Sequence, residues 1–144
     1  MRKLFLLFVL AVGLMSTSQA EEKRPEMSRY TMAYSGGEGY RVWIARFGPK
    51  ESQEALVQIS GIDHKLDGRV IRAKLILSVG GGGVKYTATV DGQAYELLSV
   101  DGTKAVLRIT GAPWSSDLCY DKSLVEDRPP QHLLTDYLDG ASKK

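Results

Sequence analysis

The sequence predicts an all-β protein, an antiparallel β-sandwich or small barrel of about seven to eight strands with a short C-terminal helical extension. Short segments alternate apolar and polar residues at the two-residue period of a strand. Turns that contain glycine separate these segments at short intervals. After Pro113 the alternation is lost. These observations favour a β domain that ends near residue 113 and a different structure beyond it.

Seven strands are predicted from the alternating and β-branched segments. They are 30–34, 40–47, 55–59, 70–77, 84–90, 94–99 and 105–110. The loop 35–39 places glycines between the first two strands, which is typical of a hairpin. Gly48 and Pro49 end the second strand, since proline has no N–H for a sheet ladder. The polar loop 61–68 follows the third strand.

The fourth and fifth strands show the clearest alternation. The faces expected to enter the core carry Ile71, Ala73, Leu75 and Leu77 in the fourth strand, and Val84, Tyr86, Ala88 and Val90 in the fifth. The dipeptides Asp91-Gly92 and Asp101-Gly102 then predict tight hairpin turns, because such pairs suit turns that need positive φ. These turns bound the sixth strand.

The C-terminal extension is predicted to be partly helical. After a mixed segment, 114–124, the pair Pro129-Pro130 interrupts the backbone. Residues 131–138 are predicted to form one or two helical turns that end at Gly140. Their apolar side, at helical spacing, consists of Leu133, Leu134, Tyr137 and Leu138. We expect this side to pack on the sheet, and an interface between two copies is the alternative.

Residues 1–20 are predicted to be a secretory signal peptide. Two basic residues precede the apolar run 4–14, and a Ser-x-Ala ending places the cleavage after Ala20. The apolar run is shorter than the ~20 residues of a membrane span, and no cysteine near the cleavage site provides a lipid anchor. A retained anchor helix is the alternative. We expect a periplasmic protein without a membrane anchor, in which residues 21–144 form one β domain with its extension from about 113.

The charge balance argues against a nucleic acid or an anionic membrane as partner. The chain has 19 Lys and Arg against 17 Asp and Glu, and two of the basic residues lie in the signal peptide. The exported part is therefore neutral and has no overall basic field. The segment 117–139 is acidic. It is open to two interpretations, a surface for a basic partner or a solvated acidic tail.

Cys119 is the only cysteine, so no intrachain disulfide can form. A chain of this length can bury a core without a crosslink. Because free cysteine is among the most buried residue types, we expect Cys119 in the core. An intermolecular disulfide is the alternative.

No motif in the sequence indicates catalysis, a metal or a cofactor. His64 and His132 stand alone, without a second nitrogen or thiolate at ligand spacing. The glycine run 80–83 lacks the later glycine of a dinucleotide-binding loop and the Lys-Ser/Thr pair of a P-loop. We therefore predict that the protein is not an enzyme and uses no cofactor or metal.

The glycine run 80–83 lies between two predicted strands and is a candidate protrusion. Glycine lets the backbone approach another molecule closely, although a slack surface connection is the alternative. The segment 82–86, Gly-Gly-Val-Lys-Tyr, resembles the Ser-Gly-x-x-Tyr loop of the bacterial membrane-bound and periplasmic lysozyme inhibitors. The segment 101–105, Asp-Gly-Thr-Lys-Ala, resembles their Lys-Gly-x-x-Ala turn. Gly82 and Asp101 depart from the pattern, where that family has serine and lysine.

The resemblance covers roughly residues 30–110 and implies an inhibitor of c-type or invertebrate-type lysozyme, used to evade host defence. The implied lysozyme-binding residues are Gly81, Gly82, Gly83, Val84, Lys85, Tyr86, Asp101, Gly102, Thr103 and Lys104. In that family the serine contacts the catalytic carboxyl groups and the tyrosine braces the loop. Here glycine amides could replace the serine hydroxyl, Lys85 or Lys104 could supply the charge, and Tyr86 is the expected brace. The lack of a crosslink, the apolar residues on both faces of segment 40–47 and the Leu- and Tyr-rich turns of 131–138 predict a homodimer, and several members of the resembled group also pair.

A function from another class is also compatible with this fold, because fold does not fix function. A periplasmic sandwich could bind a small ligand or a cell-wall glycan, with Trp43, Tyr40 and Trp114 as stacking surfaces. Core packing is the other interpretation of these aromatic side chains.

Overall fold

The computed structural model describes residues 24–142, in which eight antiparallel strands form a closed barrel. The strands are β1 (Met32–Ser35), β2 (Arg41–Phe47), β3 (Glu54–Ser60), β4 (Val70–Leu77), β5 (Val84–Val90), β6 (Gln93–Asp101), β7 (Lys104–Leu107) and β8 (Ser116–Tyr120). Each strand pairs with the next, and β8 pairs with β1 to close the sheet. The helix α1 (Pro130–Ser142) and two 3-10 helices, Lys50–Ser52 and Lys122–Asp127, complete the described part of the chain.

The predicted all-β fold with a helical extension is confirmed, and it takes the form of a barrel. The predicted bounds of β4 and β5 agree with the structure. The sequence does not indicate β8, because this short strand buries only Leu118 between polar or exposed residues and so shows no alternation. The helix continues through Gly140, where the sequence predicts its end. The predicted signal peptide, 1–20, lies outside the described residues.

A hydrophobic core fills the barrel with the inward-facing residues of every strand. In β5 the buried side chains are Tyr86, Ala88 and Val90, as the alternation predicts. Strand β6 departs from alternation, because a bulge in its pairing with β5 gives it an extra residue. Leu97 and Leu98 lie at this bulge, and both are fully buried although they are consecutive.

A second apolar cluster lies outside the barrel, between α1 and the outer faces of β1, β2 and β3. It consists of Ala33, Trp43, Ala45, Phe47, Leu56, Leu133 and Leu134. The indole N–H of Trp43 donates to the backbone oxygen of Leu124 at 2.9 Å and so ties the segment before α1 to the sheet. Phe47 packs edge-on against Tyr137, with ring centroids 5.8 Å apart. Both faces of β2 are therefore buried within one chain, and its two-sided apolar sequence does not require a second copy.

The core prediction is wrong for two side chains. Leu77 is 65% exposed, because the β3–β4 pairing ends at Lys74 and the last residues of β4 extend beyond β3. Cys119 is exposed, because it follows the buried Leu118 and neighbouring residues of a strand point to opposite faces. The preference of free cysteine for burial is overridden by the register of β8.

Truncation of Leu134 should destabilise the barrel, because this side chain is fully buried in the outer cluster. We expect Leu134→Ala to lower the free energy of unfolding by about 2–5 kcal/mol. Leu138→Ala is the control, since Leu138 is 37% exposed on the same helix and should cost within about 0.5 kcal/mol. Urea unfolding followed by tryptophan fluorescence measures both. Equal, small effects would show that α1 does not stabilise the barrel.

Candidate functional site

The two connections singled out by the sequence lie side by side at one end of the barrel. In an antiparallel barrel every second connection lies at the same end, which places the β4–β5 loop, 78–83, near the β6–β7 turn at Gly102 and Thr103. Val84 pairs with Val100, so the end of the glycine loop rests on the end of β6. We refer to this part of the barrel, with its two connections, as the loop end.

Gly83 is the glycine that this close approach requires. A Cβ at this position would overlap the backbone oxygen of Val100 and lie 3.1 Å from the Cα of Asp101. The φ of Gly83 is +87°, a conformation that residues with a side chain rarely adopt. The two backbones are therefore closer together than a side chain at position 83 would permit.

Gly82 is different, because its φ is not positive and a Cβ there would meet only the Cβ of Ser78, at 3.7 Å. The N–H of Ser78 donates to the backbone oxygen of Gly83 at 3.0 Å and closes the loop. Gly80 and Gly81 have φ of +91° and +86°, with open space around them. Within residues 24–142, no acceptor bonds to the N–H groups of Gly80, Gly81 and Gly82. The loop tip thus offers backbone donors, and position 82 has room for a side chain.

Tyrosine residues of β1 and β8 support the β6–β7 turn. Tyr34 donates its hydroxyl proton to the backbone oxygen of Gly102 at 2.9 Å. Tyr86 is 3% exposed, and burial, with a smaller contribution from Tyr34, raises its pKa to about 12. Tyr120 packs edge-on against Tyr34, with centroids 5.9 Å apart, and its N–H donates to the backbone oxygen of Thr103 at 2.7 Å. The β6–β7 turn is therefore anchored by Tyr34 and Tyr120. Tyr86 is part of the interior core, and its role as a brace of the glycine loop stays a prediction.

The charged side chains nearest to the loops lie at their base. Lys85 faces outward, as the alternation predicts, with its Nζ 3.7 Å from a carboxylate oxygen of Glu96. Lys104 is exposed, and in the strand register it lies opposite Asp101 across the β6–β7 turn. The segment 75–84 contains no charged residue. The tip of the glycine loop is therefore uncharged, with lysine side chains below it.

The aromatic residues considered as stacking surfaces do not form one site. Trp43 is buried in the outer cluster under α1, as the core interpretation predicts. Tyr40 and Trp114 stack on each other at the opposite end of the barrel, with centroids 5.5 Å apart and an interplanar angle of 22°. Both are half-buried against the interior core. The stack is therefore at least partly a packing element.

A groove of 460 Å³ lies between α1 and strands β4 and β5. Its walls include Arg69, Arg72 and Tyr137. Arg69 lies 3.1 Å from a carboxylate oxygen of Asp91, and Arg72 lies 2.6 Å from one of Glu54. Each guanidinium is thus already compensated by a carboxylate, which weakens the groove as a site for an anion.

Residues 24–142 contain no cluster of three or more His, Cys, Asp or Glu side chains that could hold a metal ion. In the same range, no helix has the length and apolar character to cross a membrane. Comparisons with protein-family models, curated proteins and solved structures find no significant match to this chain. The functional interpretation therefore depends on the geometry of the loop end.

Three side chains of the loop end are not indicated by the sequence. Tyr34 lies 68 residues from Gly102, and no local pattern links residues that far apart. Leu77 is exposed at the end of β4 instead of buried as predicted, and the sequence makes no prediction for Val79, which is exposed in the loop. The signal that could have identified them is the charge-free segment 75–84, which runs past the predicted end of a strand at 77 into a glycine loop.

Gly83→Ala should destabilise the loop end, because it combines an unfavourable φ with an overlap on Val100. We expect the free energy of unfolding to fall by at least ~2 kcal/mol. Gly82→Ala is the matched control, and we expect a change within about 0.5 kcal/mol because there is space for its methyl group. Urea unfolding of the two variants makes the comparison. Equal tolerance of alanine at both positions would contradict the close approach of the two backbones.

The buried tyrosines should make the barrel less stable at alkaline pH. Burial raises the pKa of Tyr86 from 10.0 to about 12 and raises that of Tyr34. Above the ordinary pKa the folded protein then binds more protons than the unfolded chain, so the free energy of unfolding falls as pH rises from about 10 to 12. Tyr86→Phe removes one of these hydroxyl groups and should flatten the decrease. Urea unfolding across this pH range measures both slopes, and identical slopes would contradict the prediction.

Proposed function

We propose that the protein is an exported inhibitor of lysozyme that inserts its glycine loop, 78–83, into the cleft of the enzyme. The observation that supports this most directly is the juxtaposition of this loop with the β6–β7 turn at one end of the barrel. These are the two segments whose sequences resemble the inhibitor motifs. Their contact through Gly83 makes a single surface from segments that are separate in the sequence.

The loop tip has a shape and donors that suit a cleft between two carboxyl groups. Lysozyme cleaves its glycan with two carboxyl groups that flank the scissile bond. The hydrogen bond from Ser78 to Gly83 keeps the loop narrow at its base. The sign of φ changes from Gly81 to Gly82 and again at Gly83, and consecutive amides in alternating conformations can gather around an anion. We propose that these amides take the role of the serine hydroxyl in the resembled family.

The lysines at the base of the loop add electrostatic complementarity. Lys85 and Lys104 both have exposed side chains on the strands that support the loop end, and a carboxylate oxygen of Glu96 at 3.7 Å partly offsets the charge of Lys85. Positive groups beside the tip favour the approach to an acidic cleft and mainly raise the rate of association. Asp101 opposes this effect in the β6–β7 turn, where the resembled family has lysine. We propose a target among the c-type or invertebrate-type lysozymes.

The acidic segment 117–139 is less suited to be the contact surface. Asp121 accepts hydrogen bonds from Ser123 and Ser35, which lower the pKa of its carboxyl group. Asp136 lies 3.1 Å from the guanidinium of Arg128. These contacts give Asp121 and Asp136 a role within the fold and favour the loop end as the binding surface.

Ligand binding in the groove beside α1 is the second candidate function. Its volume of 460 Å³ lies within the range of about 300–1,000 Å³ of small-molecule sites. A glycan or another polar ligand could contact Arg69, Thr89 and Tyr137 there. We rank this candidate second because carboxylates of the same chain already pair with the arginines.

Periplasmic export and pairing into a homodimer stay predictions. The signal peptide on which export depends lies outside the described residues. The apolar faces of β2 and α1 that suggest a dimer are packed against each other, so a homodimer would have to use another surface.

Residues 21–144 should inhibit a lysozyme by forming a stable complex. A cell-wall clearing assay with c-type, invertebrate-type and g-type enzymes tests this, and we expect inhibition of at least one enzyme at micromolar protein. Gly82→Leu should weaken that inhibition by at least ~2 kcal/mol, because it fills the narrow tip. Gly82→Ala is the smaller control at the same position, and thermal unfolding checks that both variants fold.

Two outcomes would count against the proposal. If the parent protein inhibits no enzyme in the panel, ligand binding in the groove becomes the leading candidate. If Gly82→Leu inhibits as well as the parent does, the glycine loop does not enter the cleft and the contact lies elsewhere.

A further inference from the structure

Exposed apolar side chains are concentrated at the loop end. Leu77 is 65% exposed, Val79 is fully exposed, and Met32 and Tyr120 are about half-exposed on the strands across the barrel mouth. Leu77 and Val79 lie on the β4–β5 side of this end, and Met32 and Tyr120 lie on β1 and β8. Single exposed apolar side chains are ordinary on a protein surface, and several at one end of a domain favour a surface that is covered in a complex. We refer to Met32, Leu77, Val79 and Tyr120 as the apolar rim.

The strand register shows that the rim residues of the strands face the barrel axis. Leu77 pairs with Val84, which packs against the interior core. Tyr120 pairs with Tyr34, another interior residue. Directly paired residues share a face of the sheet. The rim residues of the strands therefore continue the interior core to its uncovered end. Val79, the rim residue in the glycine loop, lies next to them in the chain, two residues after Leu77.

The fold itself does not account for Val79. Its side chain is fully exposed, so it contributes little burial to the folded state. Leu77 extends beyond the end of the β3–β4 pairing and is mostly exposed as well. Removing apolar side chains of this size from water is favourable in proportion to the area that a partner covers. A partner that covers Leu77 and Val79 would therefore gain binding free energy from their burial.

We infer that the apolar rim, and Val79 above all, is the hydrophobic anchor through which this protein holds the lysozyme cleft. The inference rests on the proposed function and adds the chemistry of the contact. In lysozyme the acid carboxyl group lies in an apolar pocket, whereas the second carboxyl group lies in a polar environment. The loop matches this pair of surroundings, because Val79 is followed directly by Gly80, Gly81 and Gly82, whose N–H groups have no acceptor within residues 24–142.

The shape and polarity of the loop end favour the lysozyme cleft as its partner over a second copy of the chain or a lipid bilayer. A second copy of the chain would place one protruding loop against another across a two-fold axis, since the same patch faces itself in such a pair. A lipid bilayer would have to accept the glycine amides into hydrocarbon, where unpaired backbone donors are strongly unfavourable. A cleft with carboxylates beside an apolar wall offers acceptors to the glycine N–H groups and an apolar surface to Val79. The uncharged segment 75–84 also avoids placing a carboxylate against the acidic cleft.

The test is calorimetric binding of the parent chain, Val79→Ser and Leu77→Ser to the enzyme that the clearing assay identifies. We expect Val79→Ser to bind about tenfold more weakly, which corresponds to ~1.4 kcal/mol, with a less negative heat capacity of binding because less apolar surface is buried. Leu77→Ser should act in the same direction. Ile76→Ser is the matched control, because Ile76 is also exposed but pairs with Lys85 on the outer wall.

The outcomes separate this inference from the proposed function. Inhibition by the parent with unchanged affinity of Val79→Ser and Leu77→Ser would overturn the apolar anchor and leave the inhibitor function standing. No inhibition of any enzyme would overturn both. Sedimentation with vesicles of anionic phospholipid tests a membrane as the partner, and light scattering of the free protein tests a second copy of the chain. Vesicle binding or self-association that Val79→Ser abolishes would assign the rim to that occupant and overturn the inference.

Discussion

Closure of the barrel between β8 and β1 is the constraint on which the rest of the structure depends. The two strands share only two residue pairs, Tyr34 with Tyr120 and Ser35 with Cys119. Side chains reinforce this short seam, since Ser35 donates to the carboxylate of Asp121 at 2.8 Å and the two tyrosine rings pack edge-on. Closure removes both sheet edges and fixes the register around the whole barrel. It also holds Tyr34 where its hydroxyl group can reach the backbone of the β6–β7 turn. A chain without a disulfide thus obtains its rigidity at the seam from hydrogen bonds and aromatic packing.

The two hydrophobic clusters stabilise different parts of the fold. The interior cluster fills the barrel, and the outer cluster attaches α1 to β1, β2 and β3. Arg72 extends this cover, because its guanidinium lies over the ring of Phe47 at 4.6 Å while it binds Glu54. The helix covers one wall and leaves the exposed loop end uncovered. Rigid walls and an open end are a suitable combination for presenting a short loop to a partner.

The sequence predicts those parts of the fold that depend on local alternation. β4 and β5 have the predicted bounds because their buried faces repeat every second residue for the length of the strand. β8 escapes prediction because only Leu118 is buried within it. The exposure of Leu77 and Cys119 follows from where neighbouring strands end and from register, neither of which a single segment contains. The meeting of Gly83 with Val100 likewise depends on the order of strands in the barrel, although the glycine run and the second turn are both evident in the sequence. The hydroxyl contact from Tyr34 depends on tertiary structure alone.

The position of Cys119 gives this barrel a natural attachment point for a reporter group. It is the only cysteine in the chain, and its side chain is exposed on the outer wall. Its strand neighbour is Lys104, beside the β6–β7 turn. A fluorophore or spin label coupled to this thiol would therefore sit next to the loop end without entering the core. Thiol chemistry on the unaltered sequence would give a homogeneous, singly labelled protein in which changes at the loop end can be followed spectroscopically.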